Sequence, residues 1–484
     1  MCSNKSNNYN TNLLTVSLEQ SYALNRQIEK FRKGTYPSVK LEDFVEELYK
    51  VNNAFIKLFY NLNSDNLTST QIRLLDQIFS FFMNEIASTA LYADVHQNPL
   101  EMMIPVKELI QKLNVDVDFI TVPSWKINYA IGDVWNLFNG YINFLKTQDP
   151  NMNIKIQDKK IIQIVFPIVH KDNILLGGIL GHEFGHYLDK NFKKSLITQK
   201  ILLVVKNYNR KSELIKYLDY DKALNLNPQA LSLIIDTLLT KVSMIECWIQ
   251  EFVADIIGIF IYGISSYFSC EKVFMYQNIS EKDKLIDRFS ATHPRCSARS
   301  TVRLEVLKHL DYENILDPSL VKIIKDFHSS WINANIEPYD QVHIEEFTLG
   351  LQKIKVNLNL NVDSCKLIEQ ILLDNIKEII KIVETNIPAQ IKYNFSDIKD
   401  KSMPLAKKIA NLIPPNELSK IPMDSMSIMN AGWIAYYLYI NDIKKFLSEY
   451  SPQEQDIKAI EMINSLMSKA LVSSHIHRRW NACS

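Results

Sequence analysis

The segment Gly181-His182-Glu183-Phe184-Gly185-His186 constrains this chain more than any other. Two histidines four residues apart on a helix project from one face and can hold one ion between them. The glutamate beside the first histidine is placed to take a proton from water at that ion. With the histidine and glutamate frequencies of this chain, chance supplies such a five-residue pattern in about 1 in 100 chains of this length. Two histidines leave a tetrahedral ion short of one protein ligand, and a catalytic ion also keeps a position open. A helix carrying this segment must therefore face another helix that supplies the missing ligand.

The stretch Cys247-Trp248-Ile249-Gln250-Glu251-Phe252-Val253-Ala254-Asp255 offers that ligand. Glu251 and Asp255 lie within a largely apolar segment running from Cys247 to Tyr262. An ionised carboxylate on a buried helix is costly unless paired or bound to metal. Glu251 is read as the third ligand. Asp255, one helical turn on, is read as accepting a hydrogen bond from the outer nitrogen of His182, which fixes its tautomer. Glu246 points to a different side of the helix and is set aside.

Further along, Thr292-His293-Pro294 is followed by Arg299. HExGH, then Glu-x-x-Ala-Asp, then THPxxxxR, in that order, resembles peptidase family M48, the gluzincin family of the CAAX prenyl proteases and the HtpX-like heat-shock proteases. The resemblance covers residues from about 160 to 305. It implies one zinc ion per chain, bound by His182, His186 and Glu251, with Glu183 as the base. It also implies that His293 helps to stabilise the oxyanion, and Arg299 is expected to hold the local structure through a carboxylate contact. The activity implied is zinc-dependent endoproteolysis of a protein or peptide substrate. The alternative is a regulatory or protein-binding module that keeps the zincin core without general proteolysis. An intact Glu183 favours the enzyme, since a site kept only for structure has no need of a base.

Typical members of that family are integral membrane proteins, and here the chain departs from the pattern. Its most apolar segment, Phe252 to Phe268, contains Asp255 and falls short of the roughly 20 residues that cross a bilayer. The stretch Met1 to Gln20 is polar and Asn-rich, without the pattern of a signal peptide. No transmembrane segment is expected, and the substrates of the membrane members are not carried over. Basic and acidic residues balance at 54 each, so nothing favours nucleic acid or an anionic membrane as a partner. The 6 cysteines lack CxxC spacing, which argues against a structural zinc site and a disulfide scaffold and fits a reducing, cytoplasmic setting. Cys296 is read as an ordinary unliganded thiol rather than an inhibitory zinc ligand.

The expected fold class is mainly α with a small β-sheet (α+β), a zincin-like core flanked by helical regions. Glycine, at 11 residues, is scarcer than an all-β protein with many tight turns usually requires. Residues 1–100 read as a helical N-terminal region after a disordered start. Leu41, Phe44, Val45, Leu48 and Phe55 mark one helix, and Leu74, Ile78, Phe81 and Phe82 a second. Pro99 and Pro105 break the chain before the metallopeptidase domain, residues 101–332. There Phe119 to Val122 and Ile161 to Val169 read as strands. Pro167 suits the second to a sheet edge, where it would lie beside the cleft and pair with an extended substrate.

Asp172 is the expected N-cap of a helix from Ile174 to Leu188. Gly177, Gly178, Gly181 and Gly185 weaken that helix by roughly 1 kcal/mol each relative to alanine, which points to close packing against neighbouring backbone. Lys193 to Leu218 and Pro228 to Ile245 read as helices. Residues 333–484 read as a wholly helical C-terminal domain, with one strong amphipathic helix through Leu367, Ile371 and Val383 and a last pair containing Trp433 to Tyr439 and Ile457 to Leu471. His475 and His477 read as solvated terminal residues.

Overall fold

The computed structural model describes residues 3–36, 38–62, 67–91, 100–126, 129–150, 160–222, 225–279, 284–349 and 352–483. They form a mainly α protein with small sheets. The chain divides into two compact units. Residues 1–100 with 114–171 make the first, and residues 101–113 with 172–484 the second. This differs from three consecutive parts, because the segment from 333 onward belongs to the same unit as the histidine segment.

In the first unit a helix already runs over Ser3–Phe31, where the sequence suggests a disordered start. Ser38 accepts a hydrogen bond from the Leu41 amide and so caps Val39–Asn61. That helix buries Leu41, Phe44, Val45, Leu48 and Phe55 along one stripe. Thr68 and Gln71 form a capping box at the start of Ser69–Phe81. Here Phe79 and Phe82 face the core, whereas Leu74 and Phe81 point to solvent. The buried stripe is thus offset from the one the apolar run suggests, since Phe55 and Phe59 meet Phe79 edge-on.

The unit's sheet contains β1 (Val117–Ser124), β2 (Ala130–Asp133) and β3 (Lys160–Pro167) in the order β1-β3-β2. β3 is therefore the central strand, not the expected edge. It pairs with β1 in parallel and with β2 antiparallel. Pro167 is its last residue, past the register of β2, so a missing N–H is tolerated there. The sheet and the histidine segment lie in different compact units.

The second unit opens with the helix Leu100–Leu113, which holds Pro105 in its first turns instead of ending there. Pro99 lies outside the described residues. Asn173, not Asp172, caps the next element, accepting from the Leu176 amide. The segment then passes through a 3-10 stretch, Ile174–Ile179, into the α-helix Leu180–Tyr187 and a π-turn, Leu188–Phe192. Beyond it lie Leu196–Lys206, a 3-10 stretch Asn209–Tyr217 and Pro228–Lys241. The helix Ser243–Tyr262 carries Glu251 and is followed by Ile264–Gln277. Gly263, at φ +62°, makes the break between them. This left-handed backbone suits glycine, and it lets the Ser265 amide bond to the buried Asn430 side chain at 2.9 Å. Among the described residues no helix is long and apolar enough to cross a membrane.

The region after 333 is not wholly helical. β4 (Leu218–Asp219), β7 (Asp340–Leu349) and β8 (Gln352–Asn361) make an antiparallel sheet in the order β4-β8-β7, and β5 (Ile286–Asp287) pairs with β6 (Asn335–Ile336). The alternation in β8 buries Ile354, Val356, Leu358 and Leu360, a period of two that marks a half-buried strand. The expected single amphipathic helix is two, Val362–Asp374 and Ile376–Asn386, broken at Asn375. Two further helices, Ser425–Leu438 and Pro452–Cys483, cover the expected last pair.

The helix of His182 and the helix of Glu251 approach closely through glycine. A Cβ on Gly185 would lie 2.7 Å from the Ala254 Cα, and one on Gly181 would lie 2.8 Å from the Tyr262 ring. The neighbour at Gly185 is backbone and cannot turn aside. Gly185→Ala is therefore expected to destabilise the protein by about 1–3 kcal/mol, the usual size for overpacking. Urea unfolding checks this, and a wild-type midpoint would show that the two helices part without cost.

Candidate metal centre

His182 and His186 leave the same face of Leu180–Tyr187, and their Nε2 atoms are 3.2 Å apart. Glu251 reaches them from the opposing helix. Its Oε2 is 3.5 Å from His182 Nε2, and its Oε1 is 3.2 Å from His186 Nε2. The three side chains form a group able to hold a metal ion, and no other such group occurs among the described residues. Zinc in tetrahedral geometry, with bonds of about 2.0–2.1 Å, sets its donors roughly 3.3 Å from one another. The donor set fits that spacing.

Hydrogen bonding supports the same reading. His182 Nδ1 lies 3.0 Å from Asp255 Oδ1. A hydrogen on Nδ1 leaves the Nε2 lone pair facing His186 and Glu251. Glu251 Oε2 is buried without a hydrogen bond. Arg299 Nη1 lies 2.9 Å from it, so it is charge-paired although no N–H points along that line. His186 Nδ1 is also buried without a partner, and the His186 ring has no counterpart of Asp255 behind it.

Asp255 is the meeting point of the buried charges. Arg299 grips it with two bonds, Nε to Oδ2 at 2.8 Å and Nη2 to Oδ1 at 2.9 Å. Arg303 adds Nη1 to Oδ2 at 3.2 Å. Arg303 also donates to Glu271 Oε1 from Nη2 at 2.9 Å, and Trp331 Nε1 donates to Glu271 Oε2 at 2.6 Å. The Phe274 ring packs under both guanidiniums, 4.2 Å from Arg299 and 5.0 Å from Arg303. The expected carboxylate contact of Arg299 is present, whereas the sequence pattern alone gives Arg303, Glu271 and Trp331 no role. Arg303 stands one turn after Arg299 on Cys296–His309, so shared helix face was the available signal.

The electrostatics follow from this arrangement. Burial alone would raise the Asp255 carboxyl, but Arg299 and Arg303 hold it far below the usual carboxylate range. Burial opposes ionisation of Glu251 too, yet Arg299 and His186 hold it well down. Glu251, Asp255 and Glu271 are three buried carboxylates facing two buried guanidiniums, Arg299 and Arg303. One negative charge is left over. Burial and Arg299 push the His182 imidazole down, but the Asp255 and Glu251 carboxylates beside it outweigh them and raise it to about 9. The cluster favours an added positive charge.

Glu183 follows His182 on the helix and is 8% exposed. Among the described residues it makes no side-chain ion pair or hydrogen bond. His293 Nε2 lies 3.6 Å from Glu251 Oε1, and its side chain is 57% exposed. It stands beside the donor group without belonging to it. Its Nδ1 is 2.8 Å from Thr292 Oγ1. Burial pushes the Cys296 thiol up to about 12, and its sulfur lies 3.7 Å from Asn278 Nδ2, away from the donors. His475 is not a solvated terminal residue, since it lies 3.8 Å from Glu108 Oε1 in a cluster with Arg478. His477 is exposed. Comparison with family models, with curated proteins and with solved structures finds no match to this chain.

Replacing Arg303 by methionine would leave Glu271 and part of Asp255 unpaired in the interior. Removing one partner of a buried ion pair costs about 3–5 kcal/mol. Arg303→Met is expected to lose stability on that scale, and adding Glu271→Gln should restore part of it. Denaturant unfolding of the single and double variants checks this. A double variant less stable than the single one would remove the pairing argument.

Proposed function

We propose that this chain is a zinc-dependent endopeptidase of the kind its motifs resemble, acting on a protein or peptide substrate. The observation that carries the reading is the donor group of His182, His186 and Glu251 at 3.2–3.5 Å, with the Glu183 carboxylate next in chain. Those three residues would hold the zinc ion. Bound there, zinc supplies a Lewis acid for the scissile carbonyl and for water.

The protein's own residues do the rest. The Glu183 carboxylate takes the proton of the attacking water and delivers it to the leaving amine. Its freedom from other side chains keeps both oxygens available for that transfer. With the Thr292 hydroxyl 2.8 Å from Nδ1, the His293 tautomer that accepts from that hydroxyl carries its hydrogen on Nε2 and would offer it to the developing oxyanion. Its exposure suits contact with a substrate. Asp255 and Arg299 hold the His182 ring in its ligand orientation.

Zinc should be present at about one ion per chain by elemental analysis. His182→Ala, His186→Ala and Glu251→Ala should each lose it. Full occupancy in all three variants would sink the ligand assignment.

Glu183→Gln should keep zinc and fold while losing hydrolysis, measured by profiling the peptides that wild type cleaves. Cleavage at the wild-type rate would remove Glu183 as the base. Zinc binding with no turnover by wild type on any substrate would instead indicate a regulatory or protein-binding module. His293→Ala should keep zinc and substrate affinity but lose about 10²-fold in turnover, the usual size for one oxyanion donor. Normal turnover would place His293 in the scaffold.

A further inference from the structure

We propose that Glu369, on the helix Val362–Asp374, is a positioning residue for His293, acting through Arg295. The inference rests on the proposed peptidase reading and concerns what holds the oxyanion donor in place. The His293 ring is more than half exposed, so side-chain packing fixes it weakly. Its location is set by the backbone that carries it.

That backbone is tied at two ends. On the near side the Trp248 indole donates to the Ser290 carbonyl at 2.9 Å, and Trp248 lies one turn before Glu251 on the ligand helix. The turn from Ser290 to His293 closes on itself. The Thr292 and His293 amides donate to Ser290 Oγ at 3.2 and 2.8 Å, and the Ser290 amide donates to the His293 carbonyl at 3.1 Å.

On the far side Arg295 converges on Glu369 with three donors. Its backbone amide reaches Oε1 at 2.9 Å, while Nε and Nη2 reach Oε2 at 2.9 and 2.7 Å. Asp287 lies 3.5 Å from Arg295 Nη1 and accepts from the Ser297 amide at 3.3 Å. The Phe289 ring lies under the guanidinium at 4.9 Å. Glu369 is 1% exposed, and a buried carboxylate of this kind is retained at a cost.

The coupling to His293 is covalent and short. Pro294 stands between His293 and Arg295, and its ring locks φ. A shift of the Arg295 amide therefore passes to His293 with little loss. Glu369 grips that amide as well as the side chain, which a merely charge-neutralising partner would not do. Displacements of about 1 Å at a reacting centre cost up to 10²-fold in rate.

The test compares Glu369→Gln in wild type and in His293→Ala. In wild type the substitution should lower kcat by about tenfold or more, with zinc content and KM unchanged. In His293→Ala it should change kcat by less than about twofold, because the residue it positions is gone. Equal losses in both backgrounds would mean general scaffolding and overturn the proposal.

Hydrogen exchange of the metal-free protein gives a readout that needs no activity. The Thr292 and His293 amides should exchange about tenfold faster in Glu369→Gln, with the Glu251 helix unchanged. Unchanged exchange at those two amides overturns the proposal even if the chain proves to have no peptidase activity. Should Glu369→Gln fail to fold, Arg295→Lys breaks the paired bonds while keeping the charge, and the same outcomes decide.

Discussion

Asp255 carries the arrangement on which the centre depends. One carboxylate, wholly inside the protein, receives His182 on one oxygen, Arg303 on the other and Arg299 on both. Each partner comes from a different requirement. His182 needs a fixed tautomer, Arg299 needs a counter-charge beside the centre, and Arg303 passes the charge on to Glu271. Without the arginines the carboxylate would be too costly to bury. Without the carboxylate two guanidiniums would face each other in the interior. The network thus joins the helices Leu180–Tyr187, Ser243–Tyr262, Ile264–Gln277 and Cys296–His309 through charges that are stable only together.

Backbone proximity makes that network possible. His182 and Asp255 meet because Gly185 lets its helix lie against Ala254, and Gly181 lets it lie under Tyr262. Larger residues would separate the helices and lengthen every bond across them. The glycines lower helix propensity, so the segment does not hold its shape by local preference. Its uneven helicity, 3-10 before the histidines and π after them, fits this. Tertiary contacts, not propensity, maintain it.

Much of the centre was legible in the sequence, and the reason is chemical. His182, Glu183, His186, Glu251 and Asp255 are residue types whose spacing on helices fixes direction, so facing helices could be inferred from two short segments. The glycines likewise announced a close approach. Arg303, Glu271 and Trp331 escaped because each is common in helices, and only three-dimensional convergence gives them a role. The β7-β8 hairpin escaped for another reason. The signal lies in one strand alone: β8 alternates plainly, with Lys353, Lys355, Asn357 and Asn359 outward and Ile354, Val356, Leu358 and Leu360 inward, whereas β7 turns Val342 and Ile344 to solvent. β3 reads as an edge strand because its apolar run continues past Pro167 to Val169, whereas the strand ends at the proline.

The region beyond residue 333 is part of what builds the centre. Leu175, at the entry to the histidine helix, is pinned from three sides. Its amide donates to Asn464 Oδ1 at 2.9 Å, and its carbonyl accepts from Ser269 Oγ at 2.8 Å and from Trp433 Nε1 at 3.0 Å. Two of those partners lie on the last two long helices. Glu369, on a third C-terminal helix, grips the segment after His293. A 3-10 turn with adjacent glycines has little local reason to persist, and a half-exposed histidine segment has no more. Both are held by side chains that arrive from far along the chain. Residues 172–484 accordingly belong with 101–113 to one compact unit, and the motif-bearing stretch alone lacks the contacts that fix its own helix.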